Sequence, residues 1–369
     1  MQTFIKASEL EKTGYENGLD AFGIAKADQF SKTLEILKAR KEQGLHAGMN
    51  FTYRNPVRSS TPAITMPDAQ SLIVGAKSYW KPREEAIDKS DPQGRIALYA
   101  QENYYEKLRE GLSAVAGKLE SKGYKTIILI DDNALVDREA AYRAGIGWYG
   151  KNANILIPKR GSWFVLGSIL TDAIFEPSTP AKEHCGSCTK CINACPTEAI
   201  ISPGVIDSNR CLAWLVQSPK DFPPEFREAL GDKMYGCDDC QDVCPINKYE
   251  ERVENLNNRR SRSTVSILNI LEQDDETLIS KYGRWYIPQR DPRYLRRNAL
   301  LVLGNIGTAQ SKKVQTIVSH YLKSTDSMLR SYAVWTAKRL GLTNLLMGME
   351  NDGSKDVQRE LALQVRQID

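Results

Sequence analysis

The chain has 369 residues, with 50 Lys+Arg against 46 Asp+Glu for a net charge of +4, and is 41% apolar and 26% charged. Those fractions are typical of an ordinary globular protein with room for two to three domains and a core that needs no disulfide staples, and the charge is too mild to mark a nucleic-acid binder by itself. No apolar run approaches the ~18 residues of a membrane span, and the opening MQTFIKASELEKTGYE has neither an apolar signal core nor a twin arginine, so a cytoplasmic protein with no membrane association is expected.

Residues 1–175 alternate strand-like and helix-like stretches, which predicts a mixed α/β or α+β domain. Ala21–Ala25 and Ser71–Ala76 form short apolar runs that suit buried strands. Leu108, Leu112, Val115 and Leu119 recur at helical spacing over 106–122, and Gly123 follows as a stop. The run KTIILIDD predicts a strand whose carboxyl end delivers Asp131 and Asp132. Ligands of open α/β sheets collect at such ends, although on composition alone an aspartate there serves a turn or cap. Residues 144–152, AGIGWYGKN, spell Gly-x-Gly-x-x-Gly through Gly145, Gly147 and Gly150. A dinucleotide fingerprint follows its strand directly, and here about 14 residues intervene, so that reading is weak. Ser162–Leu170 is a further strand candidate.

The informative residues are the eight cysteines, all between 185 and 244. Cys185-x2-Cys188-x2-Cys191-x3-Cys195-Pro196 is the bacterial ferredoxin spacing, in which three thiolates wrap one cubane and the fourth reaches a second. Cys237-x2-Cys240-x3-Cys244-Pro245 repeats its ending, and Cys211 supplies the missing ligand. The crossing rule gives one 4Fe–4S cluster Cys185, Cys188, Cys191 and Cys244, and the other Cys195, Cys211, Cys237 and Cys240. Zinc is the rival, but the triple spacing ending in Cys-Pro is unnecessary for a tetrahedral ion. His184, beside Cys185, reads as a neighbour of the ligands.

Residues 251–369 read as all-helical. Leu295 to Gly307 aligns with Leu329 to Gly341 at a constant offset of 34 residues, and Val357–Ile368 looks like the start of a third copy. That period suits stacked helical hairpins. Residues 281–297 mix Lys281, Arg284, Arg290, Arg293, Arg296 and Arg297 with Tyr282, Trp285, Tyr286 and Tyr294, and Arg259, Arg260 and Arg262 add a second basic group. Cations position phosphates and aromatics stack on bases, although a solvated helix face would look the same.

The strings IDDNALVDREAAYRAGIGWYGKN, GSWFVLGSILTD, CGSCTKCINACPTEAI, CLAWL, YGCDDCQDVCPINK and LRRNALLVLGNIG, taken in this order, resemble the epoxyqueuosine reductases, cobalamin-dependent iron–sulfur enzymes of tRNA modification. The likeness runs from FGIAKAD near residue 22 to the helical repeat. It implies an α+β multidomain chain: a nitroreductase-like cobalamin-binding domain over 1–175, a ferredoxin-like double 4Fe–4S module over 176–250, and a HEAT-like tRNA-binding domain over 251–369. It implies reduction of epoxyqueuosine to queuosine at the wobble position, the final step of queuosine biosynthesis, with Asp131 as proton donor. It further implies corrin contacts from Arg54, Asp131, Gly147, Lys151, Asn152, Ser162, Gly167 and Ser218. The anticodon arm of a tRNA with a GUN anticodon would meet Arg284, Arg290, Arg293, Arg296 and Arg297. An external low-potential donor would supply electrons, and nothing demands more than a monomer.

The chain departs from the family where a small or apolar residue and a proline usually follow the aspartate; here Asp132, Asn133 and Ala134 stand. The Asp-x-His-x-x-Gly motif is absent and the only histidines are His46, His184 and His320, so no protein histidine is expected beneath cobalt. Two other readings compete. A reductive dehalogenase-like enzyme shares the corrin-plus-two-clusters plan, but the missing export signal and the basic tail argue against it. A non-catalytic electron carrier with a scaffold tail would bind no corrin.

Overall fold

The computed structural model describes residues 5–83, 91–248 and 263–368. The chain divides into two units by its contacts: the described parts of Met1–Pro82, Glu102–Cys211 and Asp238–Arg259 form one, and those of Arg83–Gln101, Leu212–Cys237 and Arg260–Asp369 form the other. The three consecutive blocks expected from sequence are therefore interleaved. The basic residues Arg259, Arg260 and Arg262 lie outside the described residues.

The first unit is built on four antiparallel strands, β1 (Ala21–Lys26), β2 (Ser71–Ser78), β3 (Thr126–Ile130) and β4 (Phe164–Thr171), in the order β1-β2-β4-β3. The central pair, β2 and β4, is buried almost throughout, which is why both read as continuous apolar runs rather than alternating ones. Around the sheet lie α1 (Ala7–Glu16), α2 (Ser31–Glu42), α3 (Tyr104–Glu120) and α4 (Asp137–Arg143). Helix α3 starts where the Asn103 side chain accepts the Glu106 N–H, and Gly123 just beyond it takes φ +85°.

Helix α3 packs on β2, β3 and β4. A Cβ on Gly75 or Gly167 would strike Leu112 of α3 at 3.0 or 2.9 Å, so these paired glycines let the helix sit close. The neighbouring strand residues Val74 and Ala76 point the other way, into a cluster with Ala140 and Ala141 of α4 and with Leu129. The sheet is thus sandwiched, and α4 lies across the face opposite α3.

The second unit is mainly helical: α5 (Arg293–Ile306), α6 (Lys312–Leu322), α7 (Ser327–Arg339) and α8 (Lys355–Ala362). Helices α5 and α7 occupy the two copies of the sequence repeat and pack on each other, α6 and α8 each pack on α7, and Ser311 and Asp326 cap the starts of α6 and α7. The third copy amounts to α8, which ends at Ala362. A small sheet joins Gln93–Ile96 to Lys233–Tyr235 and Thr264–Ser266. Leu212, Leu215, Phe222, Leu230 and Met234 share the apolar core of these helices, which explains why residues 212–237 leave the cysteine-rich block for the second unit. A fully buried pair fastens that core, Arg227 Nη1 and Nη2 donating to Glu360 Oε2 and Oε1 at 2.7 and 2.8 Å.

Candidate active site and cysteine module

The strand predicted before Asp131 is β3, and Asp131 follows its last residue with φ +49°, a left-handed conformation that aspartate tolerates better than most residues. Side chains pin the loop beyond it. Asp132 Oδ1 accepts the Ala134 N–H at 2.7 Å, the Asn133 carbonyl accepts Ser59 Oγ at 2.6 Å, and Asn133 Oδ1 accepts Arg58 Nη1 at 3.2 Å. The Val136 N–H donates to Ser59 O at 3.0 Å. The loop thus leans on Pro56–Ser59, next to the exposed Arg54 that ends the turn Phe51–Arg54.

Although Asp131 reaches solvent, the protein around its carboxyl and then the charge of Asp132 raise its pKa above the usual carboxylate value. Asp137, the first residue of α4, is pushed well above the usual carboxylate value, by burial first and then by Asp131, with Arg138 opposing and Asp132 adding least. Its Oδ1 is buried with no hydrogen-bond partner among the described residues.

The glycine-rich strip 144–152 is a docking strip for the cysteine segments. Gly145, at φ +69°, leaves only 2.3 Å between a would-be Cβ and the Thr179 carbonyl, so nothing but glycine fits there. Gly147 lies against the Leu156 backbone across the Trp148–Tyr149 and Ile155–Leu156 hairpin. Trp148, buried, meets the His184 ring edge-on at 5.3 Å. Lys151 Nζ donates to Gly186 O at 2.7 Å, between Cys185 and Cys188, and the buried Asn152 Nδ2 donates to Cys240 O at 3.3 Å.

Ser162 belongs to the same arrangement. Its N–H donates to Asn247 Oδ1 at 2.7 Å, and Gln241 Nε2 donates to its Oγ at 3.0 Å and to Tyr79 Oη at 2.9 Å. Asn247 Nδ2 closes the ring on Gln241 O at 2.7 Å. Gly161 must be glycine, because a Cβ there would lie 1.9 Å from Asn247 Oδ1. Sequence reading named Ser162 but missed Gln241 and Asn247, which sit in and just beyond the Cys240-x3-Cys244 motif without any signature of their own.

The eight cysteines are all half-buried and free of disulfides. Burial raises the Cys191 thiol, with Cys244 and Cys185 adding to the effect. Burial likewise raises Cys244, with smaller upward contributions from Cys185 and Cys188. Cys191 sits on the turn Lys190–Asn193 and Cys240 on Asp239–Asp242, and the two turns pack together. Of the second predicted set, Cys195 Sγ accepts the Ala199 N–H at 3.2 Å, and Thr197 Oγ1 donates to Arg210 O at 2.6 Å, tying the Cys195 loop to the residue before Cys211. Cys237 closes the segment counted with the second unit, one residue before the chain re-enters the first. Among the described residues no three His, Cys, Asp or Glu side chains converge on a single ion, and cubane clusters spread their thiolate ligands over several irons.

Several residues that sequence singled out have other work. Gly167 packs under α3, and Gly147 under its own hairpin. Ser218 is buried in the second unit, its Oγ accepting the Lys220 N–H at 3.2 Å. Arg297 is not an RNA-facing residue. It is fully buried and donates to the carbonyls of Ser218, Lys220, Leu215 and Val216 at 2.7, 2.9, 3.2 and 3.3 Å and to Asn298 Oδ1, and burial lowers its pKa. Helical periodicity explains the difference: position 297 falls on the inner face of α5, one step from the outer edge.

Of the other tail arginines, Arg296 is held by Asp275 and by Gln273 O, and Arg293 pairs with Asp291 at 2.7 Å. Arg284 is exposed but donates to the Ala100 and Gln101 carbonyls. Arg290 is exposed and follows Gln289 in a tight left-handed turn (φ +55° and +54°), near the exposed Tyr286.

A redox-module sequence grafted onto an α+β domain with a carboxylate at a strand end defines an iron–sulfur oxidoreductase. Residues 184–247 match the family model of a 4Fe-4S double cluster binding domain. An epoxyqueuosine reductase of Vibrio cholerae is 33% identical over 309 residues, 81% of this chain and 83% of the relative. That of Bacillus subtilis is 30% identical over 373 residues, 99% and 95%. A crystal structure of epoxyqueuosine reductase with an epoxyqueuosine-modified tRNA-Tyr stem loop is 28% identical with TM-score 0.85, covering 96% of each chain. A structure of the Bacillus subtilis enzyme with its catalytic aspartate loop swung out of the active site is 27% identical with TM-score 0.86 at the same coverage. The chain belongs to the epoxyqueuosine reductase family of oxidoreductases. Among the described residues no helix is long and apolar enough to cross a membrane.

Proposed function

We propose that this chain reduces epoxyqueuosine to queuosine in the anticodon arm of tRNA, with two 4Fe–4S clusters and cobalamin. The observation that carries the reading is Asp131, a carboxyl at the end of β3 whose pKa is raised, in the chain that also carries the cysteine module. Removing an epoxide oxygen as water takes two electrons and two protons and leaves a carbon–carbon double bond. A carboxyl that keeps its proton above the usual range is suited to protonate the departing oxygen, and such general acid help is worth ~10²–10⁴-fold.

The loop's rim suits a corrin, whose large amphipathic face needs apolar and polar partners together: Phe51 and Val57 are exposed beside Arg54 and Arg58. Arg54 and Asp131 are the residues we assign to it. Cobalamin, when bound, would supply the metal-centred chemistry of carbon–oxygen cleavage, and the clusters held by the cysteines would supply its electrons from an external low-potential donor. Lys151, Asn152 and Ser162, also expected at the corrin, hold the cysteine loops. Arg58, Ser59 and the Asn133 backbone orient Asp131 and define the resting position of its loop. The Bacillus subtilis relative has been solved with its catalytic aspartate loop swung out of the active site, which supports a movable loop here.

The tRNA stem loop bound by a relative extends to this chain as a proposed partner. Arg290, Arg284 and Lys281 are the exposed cations for its phosphates, with Tyr286, 57% exposed, available to stack on a base. The test is incubation with reductant, cobalamin and epoxyqueuosine-containing tRNA, followed by nucleoside mass spectrometry. Queuosine appearing only with all three supports the reading, and unchanged epoxyqueuosine with cluster-loaded protein refutes it.

A further inference from the structure

The ammonium of Lys151 is spent on the cysteine segment of its own unit. It lies at the end of the glycine-rich strip and donates to the carbonyl of Gly186 at 2.7 Å. Gly186 has φ +47°, and the Cys188 N–H returns to Cys185 O at 3.0 Å, so this carbonyl belongs to the tight turn that presents Cys185 and Cys188. In the double-cluster reading this turn carries two of four thiolates of one cluster, and in sequence the second motif adds Asp238, Asp239 and Asp242 around Cys240. Lys190 lies on the helical turn of Cys191. The neighbouring Asn152 holds Cys240 O, and Trp148 packs on His184 beside Cys185, so the strip fixes Lys151 at both flanks.

We propose that Lys151 is a potential-setting residue for the cluster carried by the Cys185–Cys188 turn, its positive charge stabilising the electron-loaded form. The inference rests on the double-cluster reading. A cluster held by four thiolates gains one negative charge on reduction. A nearby fixed cation favours that state, and net charge, hydrogen bonding and exposure are the levers that set cluster potentials. Lys151 is only half-buried, so the effect is screened and modest.

The experiment is a spectroscopically monitored redox titration of anaerobically prepared full-length protein, comparing wild type with Lys151→Gln and Lys151→Arg. Glutamine keeps an N–H donor for Gly186 but removes the charge, so a merely structural role would survive in it. In Lys151→Gln one of the two couples falls, the reduced-to-oxidised ratio at a fixed potential dropping at least threefold and toward tenfold, where tenfold is about 59 mV for a one-electron couple. Lys151→Arg stays within twofold of wild type, and raising the salt narrows the gap between wild type and Lys151→Gln. Both couples of Lys151→Gln within twofold of wild type, at equal iron content, overturn the inference. So does loss of cobalamin uptake in Lys151→Gln with both couples unmoved, which would return the residue to the corrin. Wild-type protein without acid-labile sulfide defeats the double-cluster reading itself, whereas wild type that holds clusters but leaves epoxyqueuosine unreduced still tests Lys151.

Discussion

Replacing Arg297 and Arg290 separately, each by methionine, distinguishes a buried organiser from an RNA contact. Arg297 donates to four backbone carbonyls of residues 215–220 and to Asn298 Oδ1, with no exposed surface. Methionine fills part of the volume but satisfies none of these acceptors. A hydrogen bond to a charged group is worth about 1.5–3 kcal/mol, and each acceptor left bare in the interior costs about 1–3 kcal/mol. The bonds share one guanidinium and are not additive, and the cost of burying its charge is recovered, so the expected loss is about 3–5 kcal/mol. Arg290 is exposed on its turn, and its loss should move stability by less than about 0.5 kcal/mol. Urea denaturation measures the first effect. Salt-dependent tRNA binding measures the second, the Arg290 variant losing about one unit of the log–log salt slope. An Arg297→Met protein within 1 kcal/mol of wild type but with the shallower salt slope would refute the reasoning, placing the guanidinium on RNA.

Asp131→Asn keeps shape and the left-handed backbone, so cluster and cobalamin spectra should survive while turnover falls at least about 10²-fold; near-normal turnover removes Asp131 from the chemistry. Because the charge of Asp132 raises the Asp131 pKa, Asp132→Asn should move the alkaline limb of the rate profile to lower pH, and a limb that stays put or moves up contradicts the coupling. The same raised value has a stability sign. Ionising Asp131 is disfavoured in the folded state, so stability is lost as pH rises from the ordinary 3.8 through the raised value, and Asp131→Asn removes that loss at neutral pH. Glu360→Ala strands the buried Arg227 and should cost about 3–5 kcal/mol in thermal or urea unfolding, a loss under 1 kcal/mol showing that the pair is not buried in solution.

What the sequence made legible follows from periodicity and spacing. Strands β1 to β4 and helix α3 fall within a few residues of their apolar patterns, and Asp131 lands at the strand end where KTIILIDD places it. The 34-residue offset reappears as α5 and α7 because each copy presents the same buried face. The interleaving of the two units was hidden, since it depends on Leu212 to Met234 sharing a core with residues far along the chain. The strip around Gly145 to Asn152 spells a ligand loop, yet its glycines, Lys151 and Asn152 answer to protein backbone; local spelling shows that close approach is needed, not what approaches. Charge composition likewise could not separate Arg290 from Arg297, because burial is decided by helix phase and by a loop 79 residues away.

The claim on which everything else stands is that eight thiolates hold two cubanes. Anaerobically prepared, full-length protein should yield about eight iron atoms and about eight acid-labile sulfides per chain, with the broad absorption of 4Fe–4S clusters bleached by a low-potential reductant. Stoichiometric zinc with no labile sulfide would contradict the account.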